Sequence, residues 1–333
     1  MEGIDDSKVG AWLEANVPGF EAPYQYELIT GGHSNLTFAC IDHSGRRVVL
    51  RRPPLGHVLE SAHDMGREHK IISALESSSV PVPKTYGLCS DPEVNGASFY
   101  VMDFIDGVVL NDSTVSVAIQ DSDRPALGEH VINILCDLHA VDIDAVGLGD
   151  LGRKEAYLAR QLNRWSKQWV ASKTHEIPAM EACQTLLSER MPDQIGASIV
   201  HGDFRLDNML FDIRGGSEPI AVLDWQTVAT GRPMTDVGYF LGCGVGEALW
   251  RDHEEDLLAL WLGEMAARGV SLSRDEIEQD YRLGILHGVS TAVFSAAFVE
   301  RTERGDANFL SMARGACSLA LARESIEALK EAI

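Results

Sequence analysis

The sequence has few basic residues, and this shortage limits the partners that it can bind. It contains 28 Lys and Arg residues against 50 Asp and Glu residues, which gives a formal net charge of −22 at pH 7. An acidic surface repels nucleic acids and anionic membranes, so we expect no nucleic-acid partner and no membrane partner. The charge suits a cationic small-molecule substrate, although it would equally serve only to keep the protein soluble.

The sequence also lacks closely spaced cysteines and long apolar segments. Its six cysteines form no C-x-x-C pair, which excludes the common zinc and redox motifs. No run of eighteen apolar residues occurs, so no membrane-spanning helix is predicted. The first residues are acidic and contain no apolar signal-peptide segment. We therefore expect a protein of the reducing cytoplasm.

The order of short and long apolar segments predicts the fold class. A chain of 333 residues is too long to fold around one small hydrophobic core, so two lobes are expected. Short segments bounded by glycine or proline come first, and longer segments with helical spacing follow Gly107. This order predicts an α+β fold, with an N-lobe over residues 1–105 and a C-lobe over residues 106–333. The predicted strands of the N-lobe are 26–30, 36–42, 46–52, 85–89 and 98–104, and its main helix is 60–77. The predicted helices of the C-lobe are 126–141, 154–172, 179–190, 236–248, 252–268, 274–302 and 307–331.

The motif with the clearest chemistry is HGDFRLDN, which covers residues 201–208. Its H-x-D-F-x-x-x-N spacing is that of a kinase catalytic loop. Phosphoryl transfer needs a carboxylate that orients and deprotonates the attacking hydroxyl, with an oxygen ligand for magnesium nearby. We predict that Asp203 is this base and that Asn208 is a metal ligand. The alternative is a polar loop whose Asp and Asn side chains only cap the backbone.

A second acidic residue, Asp224, directly follows an apolar strand-like segment. It lies sixteen positions after Asn208, where a kinase carries its magnesium-binding Asp. Magnesium prefers oxygen ligands, so Asn208 and Asp224 together with ATP phosphates would complete a site. The Phe-Gly of kinases is replaced here by Trp225-Gln226. If Asp224 stood alone, we would interpret it as a cap at the end of a strand.

These motifs, together with Asp236 in the segment PMTD, resemble the aminoglycoside phosphotransferase/choline kinase family, and most of all its branch found beside or fused to acyl-CoA dehydrogenases. The resemblance extends over about residues 25–300. It implies a bilobal protein-kinase-like fold with a small antiparallel-sheet N-lobe and a larger, mainly helical C-lobe. It also implies ATP and Mg²⁺ as cofactors and a small-molecule hydroxyl as acceptor. By the same resemblance Asp236 would hold the catalytic loop, although it could equally be a helix cap.

The N-lobe lacks both the full G-x-G-x-x-G motif and the lysine of the kinase V-A-I-K strand. The segment TGGHSNLTF would be the hairpin over the phosphates, with Ser34 and Asn35 as phosphate contacts, or it is only a turn. Where kinases have V-A-I-K, this chain has Val48-Val49-Leu50-Arg51. Val49 and Arg51 share one strand face, so Val49 would contact adenine and Arg51 the α- and β-phosphates. Arg52, on the opposite face, is the alternative.

Two further segments complete the predicted nucleotide site. Glu68 lies on the apolar stripe of the 60–77 helix, where a charge is costly unless it is paired. We predict that it pairs with Arg51, as Glu pairs with Lys in kinases, although a solvated cluster of charged neighbours is the alternative. The segment that begins at Tyr100 resembles the hinge between lobes. Met102 would line the pocket, and Asp103 and Ile105 would contact adenine through their main chain, unless this is only an edge strand and turn.

The expected activity is transfer of the γ-phosphoryl group of ATP to a hydroxyl of a small molecule. Arg205 would lie close to Asp203, lowering its proton affinity or contacting the phosphoryl group. A non-catalytic pseudokinase is an alternative that only the missing lysine supports, and a protein kinase is disfavoured because D-F-G and A-P-E are absent. A kinase of hydroxyacyl-CoA or hydroxy acids would need a basic patch. Candidates for this patch are Arg153, Lys154, Arg160, Arg164 and Lys167.

Overall fold

The computed structural model describes the greater part of the chain. Ser34, most of the predicted helix 154–172 and most of the candidate basic patch lie outside the described residues, and Lys167 is the patch member that is described, as an exposed residue. The described residues are 1–29, 35–55, 64–110, 119–151, 162–163, 166–167, 170, 178–189, 198–212, 219–245, 247–298 and 303–332.

The N-terminal part is a five-stranded antiparallel sheet with one long helix on its inner face. The strand order is β1-β2-β3-β5-β4. The strands are β1 (Gln25–Leu28), β2 (Leu36–Ile41), β3 (Arg47–Arg52), β4 (Thr85–Cys89) and β5 (Phe99–Asp103). The helices are α1 (Asp6–Asn16), α2 (Met65–Leu75) and the short α3 (Pro92–Asn95). The predicted sheet is thus present. Within the described residues α2 begins at Met65, where the side chain of Asp64 caps its N-terminus, and residues 60–63 of the predicted helix lie outside the described residues.

Strand register decides which residues of β3 face the rest of the protein. Val49 pairs with Met102, and Arg51 pairs with Tyr100. Alternation along β3 places Val48 and Leu50 in a core with α1, whereas Val49 packs into the large core that also includes residues of the C-terminal part. Arg51 shares the face of Val49, so it is directed inward rather than toward solvent.

The C-terminal part is mainly helical and carries two small sheets. The sheet orders are β6-β8-β9 and β10-β7. The strands are β6 (Val108–Val109), β7 (Ser198–Val200), β8 (Met209–Phe211), β9 (Pro219–Val222) and β10 (Ala229–Gly231). The helices are α4 (Arg124–His139), α5 (Pro178–Glu189), α6 (Met234–Tyr239), α7 (Glu247–Ala267), α8 (Arg274–Phe298), α9 (Glu303–Ala322) and α10 (Ser325–Ala332). The predicted α+β class is therefore correct.

Two predicted helices of the C-lobe are interrupted in the structure. In the region of the predicted 236–248 helix, the α-helical part ends at Tyr239, and a π-helical segment, Phe240–Gly244, follows it directly. Within it, Gly242 approaches α9 so closely that a Cβ would lie 3.1 Å from the Cα of Ala316. The predicted 307–331 helix is divided between α9 and α10, because Glu324 adopts a positive φ of 50° that interrupts the helix.

The predicted boundary at residues 105 and 106 lies between two strands with different partners. Strand β5 ends at Asp103 and belongs to the N-terminal sheet, whereas β6 begins at Val108 and pairs with β8. The boundary itself stays a prediction. None of the helices within the described stretches combines the length and the apolar character that crossing a bilayer requires.

Candidate active site

A fully buried carboxylate holds the loop between β7 and β8 in place. The Oδ2 atom of Asp236 accepts the backbone N–H of His201 at 2.7 Å, and its Oδ1 atom accepts that of Gly202 at 2.8 Å. The ring of His139 lies 3.3 Å from Oδ2. Burial works to raise the pKa of Asp236, but these hydrogen bonds hold it below its ordinary value. Asp236 therefore acts on the loop backbone, and it is more than a local helix cap.

The same loop depends on a glycine at its turn. Gly202 has a φ of 80°, a conformation that favours glycine, and a Cβ there would lie 2.9 Å from the carbonyl oxygen of Thr227. The Thr227 hydroxyl donates to the carbonyl oxygen of His201 at 2.7 Å. The loop is thus packed tightly against the segment that follows Asp224.

Asp203 is presented by this loop with both carboxylate oxygens hydrogen-bonded. The Tyr239 hydroxyl donates to Oδ1 at 2.5 Å, and the Asn208 amide donates to Oδ2 at 2.9 Å. Burial raises the pKa of Asp203, while Arg205 and Tyr239 oppose that rise and the Asp224 carboxylate adds to it. A buried carboxylate with a raised proton affinity, fixed by two donors, is suited to accept a proton from a bound hydroxyl.

Asn208 and Asp224 lie on adjoining stretches of backbone. The N–H of Leu223 donates to the carbonyl oxygen of Asn208 at 2.8 Å, so Asp224 is one residue beyond a direct contact. The amide nitrogen of Asn208 is used by Asp203, which makes its Oδ1 the atom suited to a cation. Asp224 has a φ of 61°, a strained conformation for a non-glycine residue and one that is common at functional sites.

The donor set fits magnesium better than a transition metal. Across the described ranges, no group of three His, Cys, Asp or Glu side chains could hold a metal ion. One amide oxygen and one carboxylate are hard ligands, and magnesium typically takes one or two such side chains and completes its octahedron with phosphates and water.

Arg51 connects the N-terminal sheet to Asp224, which follows β9. Its Nε donates to Oε2 of Glu68 and its Nη2 to Oδ1 of Asp224, both at 3.0 Å. Glu68 is only 2% exposed, and it also accepts the Tyr100 hydroxyl and the Asn35 amide, each at 3.0 Å. Burial raises the pKa of Glu68, and the Arg51 guanidinium opposes that rise.

Arg52 points to the opposite side of β3. Its Nη1 donates to the backbone carbonyls of Gly3 at 2.6 Å and of Asn95 at 3.0 Å. It lines a cavity of about 1070 Å³ that is also lined by residues of α3 and by the N-terminus of α2. The geometry therefore favours Arg51 over Arg52 as the residue that reaches Asp224 and the candidate site. Asn35 is buried on Glu68, so a phosphate contact by Asn35 stays a prediction.

The residues predicted to contact adenine lie on β3, on β5 and just after β5. Val49 and Met102 are buried cross-strand neighbours on the inner face of the sheet. The N–H of Asp103 is used by the carbonyl oxygen of Lys84 at 2.8 Å, so an adenine contact by Asp103 could involve only its carbonyl oxygen. Its side chain accepts the Tyr86 hydroxyl at 2.5 Å. Ile105 is half-buried.

Arg205 lies near Asp203 and pairs with a different carboxylate, that of Asp207. Its guanidinium forms a two-point ion pair with Asp207 and also donates to Oδ1 of Asn308 at 3.2 Å. Its charge still opposes the raised pKa of Asp203. The predicted proximity is therefore present, and direct contact with a phosphoryl group stays a prediction.

Sequence reasoning missed Tyr239 and Tyr100, which contact Asp203 and Glu68 directly. A signal for Tyr239 was available, because it lies three residues after Asp236 and so on the same side of α6. Tyr100 lies two residues before Met102 on β5, so both side chains are on the inner face of the sheet. Neither spacing identifies a partner that is distant in sequence.

Comparison with known proteins identifies the family. The family model described as "Phosphotransferase enzyme family" matches residues 25–270. The chain belongs to the phosphotransferase enzyme family. Two relatives of this family member are acyl-CoA dehydrogenase family member 10 of Mus musculus, 39% identical over 208 residues, and acyl-CoA dehydrogenase family member 11 of Homo sapiens, 34% identical over 242 residues. The matches cover 62% and 71% of this chain but only 19% and 31% of the relatives, so the chain spans a minor part of their length.

Solved structures agree with this membership. A candidate aminoglycoside phosphotransferase from Ralstonia eutropha is 30% identical, covers 98% of both chains and has a TM-score of 0.68. The streptomycin–ATP–APH(2″)-IIa ternary complex, 18% identical with a TM-score of 0.59, covers 90% of this chain and 92% of the other. The choline kinase of Cryptosporidium parvum, 13% identical with a TM-score of 0.60, covers 96% and 98%. The last two show the fold alone, and together these structures confirm the predicted bilobal, protein-kinase-like architecture. Family membership confirms the predicted enzyme class, a phosphotransferase.

Proposed function

We propose that this phosphotransferase moves the γ-phosphoryl group of ATP to a hydroxyl group of a small molecule in the presence of magnesium. The observation that supports this most directly is the convergence of the Asp203–Asn208 pair with Asp224 and Arg51. These residues come from three separate stretches of the chain. Asn208 donates to Asp203, and Arg51 donates to Asp224. A backbone hydrogen bond joins Asn208 to Leu223, the residue before Asp224.

In this proposal Asp203 orients the acceptor hydroxyl and takes its proton. The hydroxyl oxygen forms a bond to the γ-phosphorus while the bond from that phosphorus to the bridging oxygen of ADP breaks, so ADP leaves with the electron pair. Tyr239 and Asn208 hold the carboxylate in one orientation from two sides. This fixed geometry is what makes a general base effective.

Asn208 and Asp224 would hold the cation, and Arg51 would hold the phosphates. Magnesium, when bound, would neutralise charge on the β- and γ-phosphate oxygens. Arg51 presents a planar guanidinium that can bind phosphate at two points. Its bond to Glu68 keeps the guanidinium in the cleft, so the pair would replace the Lys–Glu pair of kinases.

The acceptor class is the finer part of the proposal. The names of the relatives favour a hydroxyacyl-CoA or a free hydroxy acid over an antibiotic, because those relatives carry the name acyl-CoA dehydrogenase. The strongly acidic composition favours an amino-alcohol or amino sugar. Cytoplasmic location belongs to the proposal as well, and six free cysteines support it.

A panel of acceptors with Mg-ATP, followed by phosphorus NMR, tests both the reaction and its acceptor. The panel contains a hydroxyacyl-CoA, the matching free hydroxy acid, an amino-alcohol and an aminoglycoside. We expect one new phosphate monoester resonance together with ADP, and its loss in Asp203→Asn. If the protein binds Mg-ATP but neither transfers its phosphoryl group nor hydrolyses it slowly, the result would favour the pseudokinase alternative instead.

A further inference from the structure

Arg67 lies next to Glu68 on helix α2 but contacts a different part of the protein. Its Nη1 donates to the carbonyl oxygen of Gln226 at 2.9 Å, and its Nη2 donates to the carbonyl oxygen of Val228. The sequence separations are 159 and 161 residues. One guanidinium therefore connects the N-terminal part to the segment that follows Asp224.

The segment that Arg67 contacts is a short 3₁₀ helix, Trp225–Thr227, that begins directly after Asp224. Carbonyl groups at the end of a helix lack partners within that helix and need donors from elsewhere. The forked guanidinium supplies two donors with fixed spacing, which a lysine could not do. Arg67 thus fixes both the position and the rotation of this segment.

The same segment also contacts Asp224 and the loop that carries Asp203. The Gln226 amide donates to Oδ2 of Asp224 at 3.4 Å, and the Thr227 hydroxyl donates to the carbonyl oxygen of His201 at 2.7 Å. Arg67 of α2 is therefore hydrogen-bonded to residues 226 and 228, and residue 227 between them is hydrogen-bonded to the loop that carries Asp203.

We propose that Arg67 is a positioning residue that holds α2 and the 225–228 segment at a fixed spacing, so that the Arg51–Glu68 pair and Asp224 act on one nucleotide. Its catalytic consequence rests on the proposed function. Arg51 bridges the same two elements through Asp224, but a bound phosphate and cation would replace that bond. The Arg67 bonds engage backbone carbonyls and can persist through turnover.

Helix α8 offers a matched control. Arg282 donates from Nε to the carbonyl oxygen of Arg323 at 2.8 Å and from Nη2 to that of Glu324 at 2.6 Å. It therefore makes the same kind of two-carbonyl contact, in this case with the two residues that follow α9. Arg282→Ala removes an equivalent interaction without touching α2 or the 225–228 segment.

The first measurement is hydrogen exchange of the nucleotide-free protein. We expect Arg67→Ala to speed exchange in both α2 and residues 225–228, Arg67→Lys to have a smaller effect, and Arg282→Ala to leave both regions at the wild-type rate. Unchanged exchange in Arg67→Ala would overturn the proposal. Because this measurement needs no nucleotide, it decides the matter even if the wild type proves unable to bind ATP, which would overturn the proposed function alone.

The second measurement is steady-state kinetics with Mg-ATP. We expect Arg67→Ala to lower kcat/KM for Mg-ATP by about 10- to 100-fold, because only part of the free energy of its two charge-assisted hydrogen bonds would act on the nucleotide site, and we expect Arg67→Lys to recover part of this loss. In a Glu68→Gln background the further loss should be smaller, because residues that act as a unit are not additive. Full additivity, or wild-type kcat/KM in Arg67→Ala, would contradict a positioning role. If Arg67→Ala does not fold, Arg67→Lys carries both measurements.

Discussion

The hydroxyl of Tyr239 provides a sharp test of how the candidate base is held. It donates to Oδ1 of Asp203 at 2.5 Å from a side chain with no exposed surface. A hydrogen bond to a charged group contributes about 1.5–3 kcal/mol, and each 1.4 kcal/mol corresponds to about a tenfold change in rate. We therefore expect Tyr239→Phe to lower kcat by about 10- to 100-fold. KM for Mg-ATP should stay close to the wild-type value, because the Arg51–Glu68 pair is untouched.

The chain contains a matched phenol that pairs with a different carboxylate. Tyr281 is equally buried, and its hydroxyl donates to Oε1 of Glu254 at 2.6 Å. Both Phe variants lose one buried hydroxyl-to-carboxylate bond, so both should lose about 1–3 kcal/mol of the free energy of unfolding. Only Tyr239→Phe should lose turnover.

The assay is steady-state turnover with Mg-ATP and the acceptor identified by phosphorus NMR, with urea unfolding monitored in parallel. Equal kcat losses in the two Phe variants would mean that general destabilisation explains the effect. Wild-type kcat in Tyr239→Phe would mean that Asn208 and the loop backbone orient Asp203 without the phenol. Either result would refute the reasoning.

Three further predictions concern the candidate base, the candidate metal site and the loop that carries Asp203. Asp203→Asn should lower kcat by about 10²- to 10⁴-fold while Mg-ATP binding, measured by calorimetry, is retained, and near-full turnover would exclude Asp203 as the base. EDTA should abolish turnover and magnesium should restore it, with unchanged circular dichroism, whereas activity that survives EDTA would contradict the cation site at Asn208 and Asp224. Because the pKa of Asp236 is lowered in the folded protein, its carboxylate stabilises the fold above the ordinary Asp pKa of about 3.9, and that stabilisation is lost as the pH falls through the folded-state pKa. The difference in unfolding free energy between wild type and Asp236→Asn should therefore be constant above about pH 5 and shrink below about pH 4, and a difference that grows on acidification would contradict it.

The parts of the site that the sequence predicted are those set by local spacing. Asp203 and Asn208 lie five residues apart on one loop, and the structure joins their side chains. Strand alternation placed Arg51 and Val49 on one face, and the register bears out this sidedness. A charge on the apolar stripe of α2 called for a partner, and the structure supplies Arg51.

The parts that sequence reasoning could not reach depend on contacts between distant stretches. Nothing in the spacing of Arg67 distinguishes it from a solvated neighbour of Glu68, because its partners are backbone carbonyls about 160 residues away. The last predicted helix likewise breaks at Glu324, whose carbonyl oxygen accepts a hydrogen bond from the distant Arg282. Apolar periodicity continues through it, so the pattern alone predicts one helix where two are present.

The arginine at position 51 has a practical consequence for chemical probes. Reagents that label ATP sites by acylating a lysine need a neutral amine, and a guanidinium stays protonated and does not react in that way. Burial works to lower the pKa of Arg51, but Tyr100, Glu68 and Asp224 raise it above its ordinary value. Acyl-phosphate nucleotides should therefore leave this position unmodified, and surveys that detect kinases by lysine labelling would pass over it, whereas Arg51→Lys should make it visible to them.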